Sequence, residues 1–175
     1  MKKPSNYDST EVLSAWEQLE TGGHYLTILG AKEAQSKSGR DMLVIQFDTA
    51  KGDKQPSYFT NNHREGFYYQ GTHYIILGDE DWAVRNLKSL ITAVEESNYG
   101  FKFDWANPNC LKGQNVGGVF GEEEYLNDRN EVRKSVKLRW FCSVSSVEGA
   151  SIPKPKTLDI QDTKAPESDG LPFDL

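Results

Sequence analysis

Lys137, Arg139 and Phe141 fall at every second position of a segment whose intervening residues are Val136, Leu138, Trp140, Cys142 and Val144. In an extended strand such alternation sends the two sets to opposite faces. One face then reads as core, and the other presents two cations and a ring in a row. That combination suits a single nucleic-acid strand, because cations attract phosphates and a flat ring takes a stacked base, worth about 1–3 kcal/mol per base. The plainer account of the same residues is a solvated strand face, with Phe141 in a second small core.

Further cations cluster in two turn-like stretches. Lys37 and Arg40 sit in Ser36-Lys37-Ser38-Gly39-Arg40, and Arg129, Arg133 and Lys134 surround Leu126-Asn127-Asp128-Arg129-Asn130. Tyr58 and Phe59 lie beside Lys54 and near Arg64; read as a strand, their rings point opposite ways, and Tyr58 is taken as the outward one. Phe67, Tyr68 and Tyr69 read as satellite packing under a loop. Signs of catalysis are weaker. The sequence has no phosphate-cradling Gly-rich loop followed by Lys and no Ser motif at a strand-to-helix turn. His24, His63 and His73 are scattered, and consecutive Glu122, Glu123 and Glu124 alternate faces and cannot converge on one ion. The expectation is a non-catalytic protein with no metal and no cofactor.

The elements that must position these residues follow from periodicity. Asp8 and Glu11 form a capping box before Val12, Leu13, Trp16 and Leu19, which predicts a lead-in helix stopping at Gly22-Gly23. Strands are expected over His24–Glu33, Asp41–Thr49, Ser57–Asn61, Gly113–Glu124 and Val132–Val147, with Leu43, Ile45 and Phe47 on one face of the second. Asp79 is read as the cap of an amphipathic helix that buries Ala83, Leu87, Leu90, Ile91 and Val94 and ends near Asn98. Three strands, a helix and two strands is the order of the OB-fold. The fold class expected is therefore all-β with one or two helices, a five-stranded antiparallel barrel with a helix between strands 3 and 4. Such barrels bind oligonucleotides across strands 2 and 3 and through the loops joining strands 1 to 2 and 4 to 5, where both cationic turns fall.

Of 175 residues, 1–148 are assigned to this domain and 149–175 to a disordered acidic tail rich in Pro, Ser, Lys and Asp. The tail ends in Ser168-Asp169-Gly170-Leu171-Pro172-Phe173-Asp174-Leu175, whose Asp169, Leu171, Pro172, Phe173 and Asp174 are read as a peptide for a partner's pocket. Five acids (Asp159, Asp162, Glu167, Asp169, Asp174) against Lys154, Lys156 and Lys164 place −2 of the net −6 in the tail, so the body too is acidic. Any phosphate-binding surface must be a local stripe, because salt screens distant charges within about 10 Å. Cys110 and Cys142 have no metal-binding spacing and read as reduced packing residues. No apolar run approaches the roughly 18 residues that cross a bilayer, and the Met1-Lys2-Lys3-Pro4 start has no apolar stretch of a signal peptide. The expectation is a cytoplasmic protein without a membrane partner.

Several stretches together resemble phage-encoded single-stranded-DNA-binding proteins. They are Gly23-His24-Tyr25, Ser36-Lys37-Ser38-Gly39-Arg40-Asp41-Met42-Leu43, Asn86-Leu87-Lys88-Ser89-Leu90 and Val119-Phe120-Gly121-Glu122-Glu123-Glu124-Tyr125, and the likeness covers residues 8–147. The tail is similar to the acidic, Pro-Phe-ending tail of bacterial single-strand-binding proteins, with Asp174 and Leu175 added after the Phe. The resemblance implies an OB-fold, non-sequence-specific single-stranded-DNA binding in phage replication and recombination within the host cytoplasm, and a tail that recruits replication or recombination proteins or competes with DNA. Homo-oligomerisation is left open. The alternative is an OB-like protein-protein interaction module without nucleic-acid binding, which the negative charge favours.

Overall fold

The computed structural model describes residues 17–158 continuously, with residues 2, 3, 5, 7 and 8 near the start. Five antiparallel strands form one sheet in the order β3-β2-β1-β4-β5. They are β1 (Gly22–Gln35), β2 (Asp41–Thr49), β3 (Thr72–Ile76), β4 (Asn115–Leu126) and β5 (Val132–Cys142), with the helices α1 (Tyr58–Asn61) and α2 (Asp81–Ser97). The protein is thus predominantly β, and the sheet is not closed by hydrogen bonds between β3 and β5.

The first hairpin forms where Gly39, at φ 79, permits a tight turn. Alternation along β2 buries Leu43, Ile45 and Phe47 against Leu26 and Ile28 of β1. β1 pairs with β4 over Gly22–Thr27 and with β2 over Leu26–Gln35, the second ladder being interrupted by a bulge at Leu29. Helix α2 closes the core with Ala83, Leu90, Ala93 and Val94 and packs on β3, β4 and β5. Its N-cap is Glu80 rather than Asp79, and no side chain caps it. In the middle of the core, Phe47 meets Phe59, Phe120 and Phe141 edge-on, with ring centroids 5.4, 6.2 and 6.1 Å away.

Three expectations are corrected here. Ser57–Asn61 is no strand, because Asp48 captures it from a distance: its carboxylate accepts from the backbone N–H of Phe59 at 2.9 Å and Thr60 at 3.2 Å, turning the chain into α1. The third strand is instead Thr72–Ile76, drawn from the aromatic-rich stretch that follows. The fifth strand stops at Cys142 and gives way to a short 3-10 turn over Val144–Ser146. Of the lead-in helix, residues 9–16 lie outside the described residues. Residues 17–20 are not helical; within them Leu19 is buried in the core, and Gln55 holds the segment by accepting from Glu20 N–H at 2.8 Å and donating to Gln18 C=O at 3.1 Å.

The ordered chain continues past residue 148. Residues 149–158 lie against the sheet, where Lys156 bridges to Glu123 in parallel: its N–H donates to Glu122 C=O and its C=O accepts from Glu124 N–H, both at 2.9 Å. Residues 159–175, which include all five tail residues read as a partner peptide, lie outside the described residues. Val147 covers the outer side of β1 so closely that a Cβ on Gly23 would stand 2.2 Å from its carbonyl oxygen. Gly23→Ala is accordingly expected to lower unfolding stability by about 1–3 kcal/mol, read as a reduced denaturant midpoint at unchanged slope.

Candidate nucleic-acid interface

Register decides which side chains share the outer face of β1, β2 and β3. Leu43 and Ile75 are directly opposed and buried, so the alternate set points away from the core. That set runs in cross-strand rows: Lys32, Val44 and Tyr74; Ala34, Met42 and Ile76; then Arg40 at the hairpin end. Tyr74 is 45% exposed. Trp82, in the first turn of α2 and 47% exposed, carries the Arg40 guanidinium over its ring at 5.2 Å from the centroid. Arg40 also pairs with Glu80, but both side chains are largely exposed. An exposed pair is worth only about 0–1 kcal/mol, so a phosphate can take Glu80's place.

Tyr68 extends this row. Burial, together with the neighbouring Tyr74 hydroxyl, pushes its pKa up to about 12. Tyr68 therefore stays neutral at any ordinary pH and offers its ring beside that of Tyr74. Phe67 and Tyr68 are 71% and 52% exposed, which corrects their reading as satellite packing; Tyr69 alone packs on the core. Lys37 sits at the hairpin tip, with no carboxylate partner among the described residues.

The second feature is the seam where β3 and β5 fail to pair. It opens as a cleft of about 440 Å³, floored by Phe47, Phe59 and Phe120. Tyr58, Lys134 and Lys137, expected from the sequence, all line it, alongside Tyr68, Tyr125 and His73. Tyr58 is half-buried while Phe59 is buried, though as neighbours in a helix rather than a strand. Lys134 pairs with Glu122 at 2.8 Å, and Lys137 is exposed with no carboxylate partner among the described residues. His73 meets Phe141 edge-on at 5.5 Å across the seam. Burial pushes the His73 pKa down, so its ring is held neutral.

The alternation expected along β5 is corrected by a bulge. Val119 opposes Trp140 but Phe120 opposes Leu138, so Arg139 is an extra residue and the faces exchange beyond it. Phe141 therefore points into the core, 7% exposed, and Trp140 is turned out at 45%. Arg139 does not share a face with a stacking Phe141. Its guanidinium lies over Gly121 and donates to Glu122 C=O, with Nε buried and unpartnered. In the last hairpin Arg133 pairs with Glu131 at 2.7 Å, and Arg129 stands in the turn. The register puts the first hairpin beyond one end of β1 and the last beyond the other.

The sequence reading thus missed Lys32, Tyr68, Tyr74 and Trp82. For Trp82 a signal existed: it falls among the polar residues of an otherwise amphipathic helix. Among the described residues no group of His, Cys, Asp and Glu is arranged to hold a metal ion, and no helix is long and apolar enough to cross a membrane. No protein-family model matches the chain, and no curated protein matches it.

Proposed function

We propose that this chain is a non-catalytic, non-sequence-specific single-stranded-DNA-binding protein of OB-fold type that serves phage replication and recombination in the host cytoplasm. The strand order with its helix between β3 and β4 supports the OB assignment, the open seam being the place where such a barrel would close. The observation that carries the binding role is the outer face of β2 and β3, where Tyr68, Tyr74 and the Arg40-capped Trp82 stand exposed beside Lys32 and Lys37. Rings accept any base and cations any phosphate, so little sequence preference follows. The tail residues Asp169, Leu171, Pro172, Phe173 and Asp174 belong to this proposal as the recruiting peptide for replication or recombination proteins.

Because the net charge is −6, attraction must come from this stripe and from cations such as Lys137. Binding should therefore weaken as salt rises through counterion release, and Lys137→Glu should weaken it further across all sequences and lower the salt slope by about one. Anisotropy titrations of a labelled oligonucleotide over a salt series check both. Binding that ignores salt would contradict the proposal.

The competing reading, a protein-interaction module, draws on the unpaired backbone edges of β3 and β5, which could accept an added peptide strand. It predicts that Lys137→Glu leaves the occupant bound and that oligonucleotides are not retained.

A further inference from the structure

We propose that the cleft between β3 and β5 takes one base of the bound strand out of its stack, so that the interface combines an open stacking face with a single base-holding pocket. The inference rests on the single-stranded-DNA reading and adds a subsite to it. Four observations carry it.

The cleft is continuous with the stacking face. Tyr68, half exposed, is a wall of the cleft, and Thr72, on the same face of β3 as Tyr74, lines it too. A strand that leaves Trp82 and follows β3 past Tyr74 is led towards Thr72 and the cleft mouth.

The cleft has the size and lining of a small-ligand site. Its volume of about 440 Å³ falls in the range of about 300–1,000 Å³ usual for such pockets. Tyr58, Tyr68 and Tyr125 offer rings, and the floor of Phe47, Phe59 and Phe120 is apolar.

Groups able to pair with a base edge converge on the same space. Asn62 and Gln70 each offer a donor and an acceptor, and Ser135 offers a hydroxyl. His73, kept neutral by burial, presents one donor and one acceptor nitrogen rather than two donors.

Finally, the charge stands where a sugar-phosphate would pass. Lys134 and Lys137 project from opposite faces of the free β5 edge and both reach the cleft. Lys134 is shared with Glu122, while Lys137 has no carboxylate partner among the described residues. An apolar floor, a hydrogen-bonding rim and cations at the mouth match a nucleotide better than an aliphatic ligand, which would leave the rim unpaired.

The test uses the full chain and an oligothymidylate carrying one photoreactive thiothymidine, cross-linked by light and mapped by peptide mass. The expected result is cross-links both on the outer face, at Tyr74 or Trp82, and inside the cleft, at Tyr58 or His73. Gln70→Trp, which fills the mouth, should abolish the cleft cross-links, keep those of the outer face and lower affinity about tenfold. If Gln70→Trp fails to fold, Asn62→Leu, which removes a rim amide without filling the pocket, should reduce the yield in the cleft alone. Cross-links confined to the outer face in the unmodified protein would overturn the pocket while leaving the binding function intact. An oligothymidylate that does not bind at all would overturn both. A cleft blocked by a co-purified peptide, seen by mass, would overturn the pocket in favour of strand addition.

Discussion

Replacing Tyr74 and Trp82 together by alanine should weaken binding of single-stranded DNA by at least about 30-fold, with the fold unchanged. Each ring that carries a base is worth about 1–3 kcal/mol, and the two stand at separate places on the outer face, one on β3 and one at the start of α2. Both are close to half exposed, so neither substitution opens a cavity in the core. Trp82→Ala also frees Arg40 from its ring, and part of the expected loss comes from that guanidinium no longer being held over the path of the strand. Each single variant should lose about fivefold or more. Anisotropy with a labelled oligothymidylate measures the affinity, and circular dichroism with thermal melting checks the fold. Full affinity in the double variant would remove the outer face from the binding site.

The second large effect concerns stability. His24 is fully buried, with Nδ1 2.9 Å from an Asp53 carboxylate oxygen and Nε2 2.9 Å from Glu20 C=O. Both ring nitrogens face oxygen atoms, so the ring is held at both ends. Asp53 in turn accepts from the backbone N–H of Tyr25 at 2.8 Å and of Gln55 at 2.9 Å. The cluster therefore ties β1, the loop after β2 and the segment before β1 into one unit. Asp53→Ala leaves His24 Nδ1 and the backbone N–H groups of Tyr25 and Gln55 without their acceptor, so it should cost about 3–5 kcal/mol of unfolding free energy. Chemical denaturation of the two proteins side by side measures it.

The same cluster sets a pH dependence. Burial pushes Asp53 up, but hydrogen bonds from His24 and the N–H groups of Gln55 and Tyr25, with the charge on His24, outweigh it and leave the carboxyl below its ordinary value. A carboxyl depressed in the folded state stabilises fully above its unfolded pKa, about 3.9. That contribution is lost as pH falls through the lower folded value. The parent protein should lose stability over that acid range, and Asp53→Asn should flatten this part of the profile.

Alternation and turn chemistry made β1, β2 and the two hairpins legible in the sequence, because Leu43, Ile45 and Phe47 mark a buried face and Gly39 and Asn127-Asp128 mark turns. The third strand was not legible. Ser57 to Asn61 has strand-like residues, but the Asp48 carboxylate, remote in sequence, overrides that tendency. Once the strand is shifted to Thr72–Ile76, alternation alone places Tyr74 outward.

For the candidate site the decisive event is the bulge at Arg139. Periodicity assumes one residue per step, and a single extra residue sends Phe141 inward and Trp140 outward. Lys134, Lys137 and Tyr58 do meet at one cleft, but the seam that gathers them exists only because β3 and β5 do not pair, which no local pattern records. Nor did the acidic net charge rule out a local cationic stripe, since exposed charges act only within about 10 Å.

The most direct measurement is the equilibrium affinity of the purified full chain for one labelled oligonucleotide, presented first as a single strand and then annealed to its complement. Exposed rings demand unstacked bases, so the single strand should bind clearly more tightly than the duplex, and its affinity should drop when salt is raised. Equal or stronger binding of the duplex, or no binding of either form, would contradict the account.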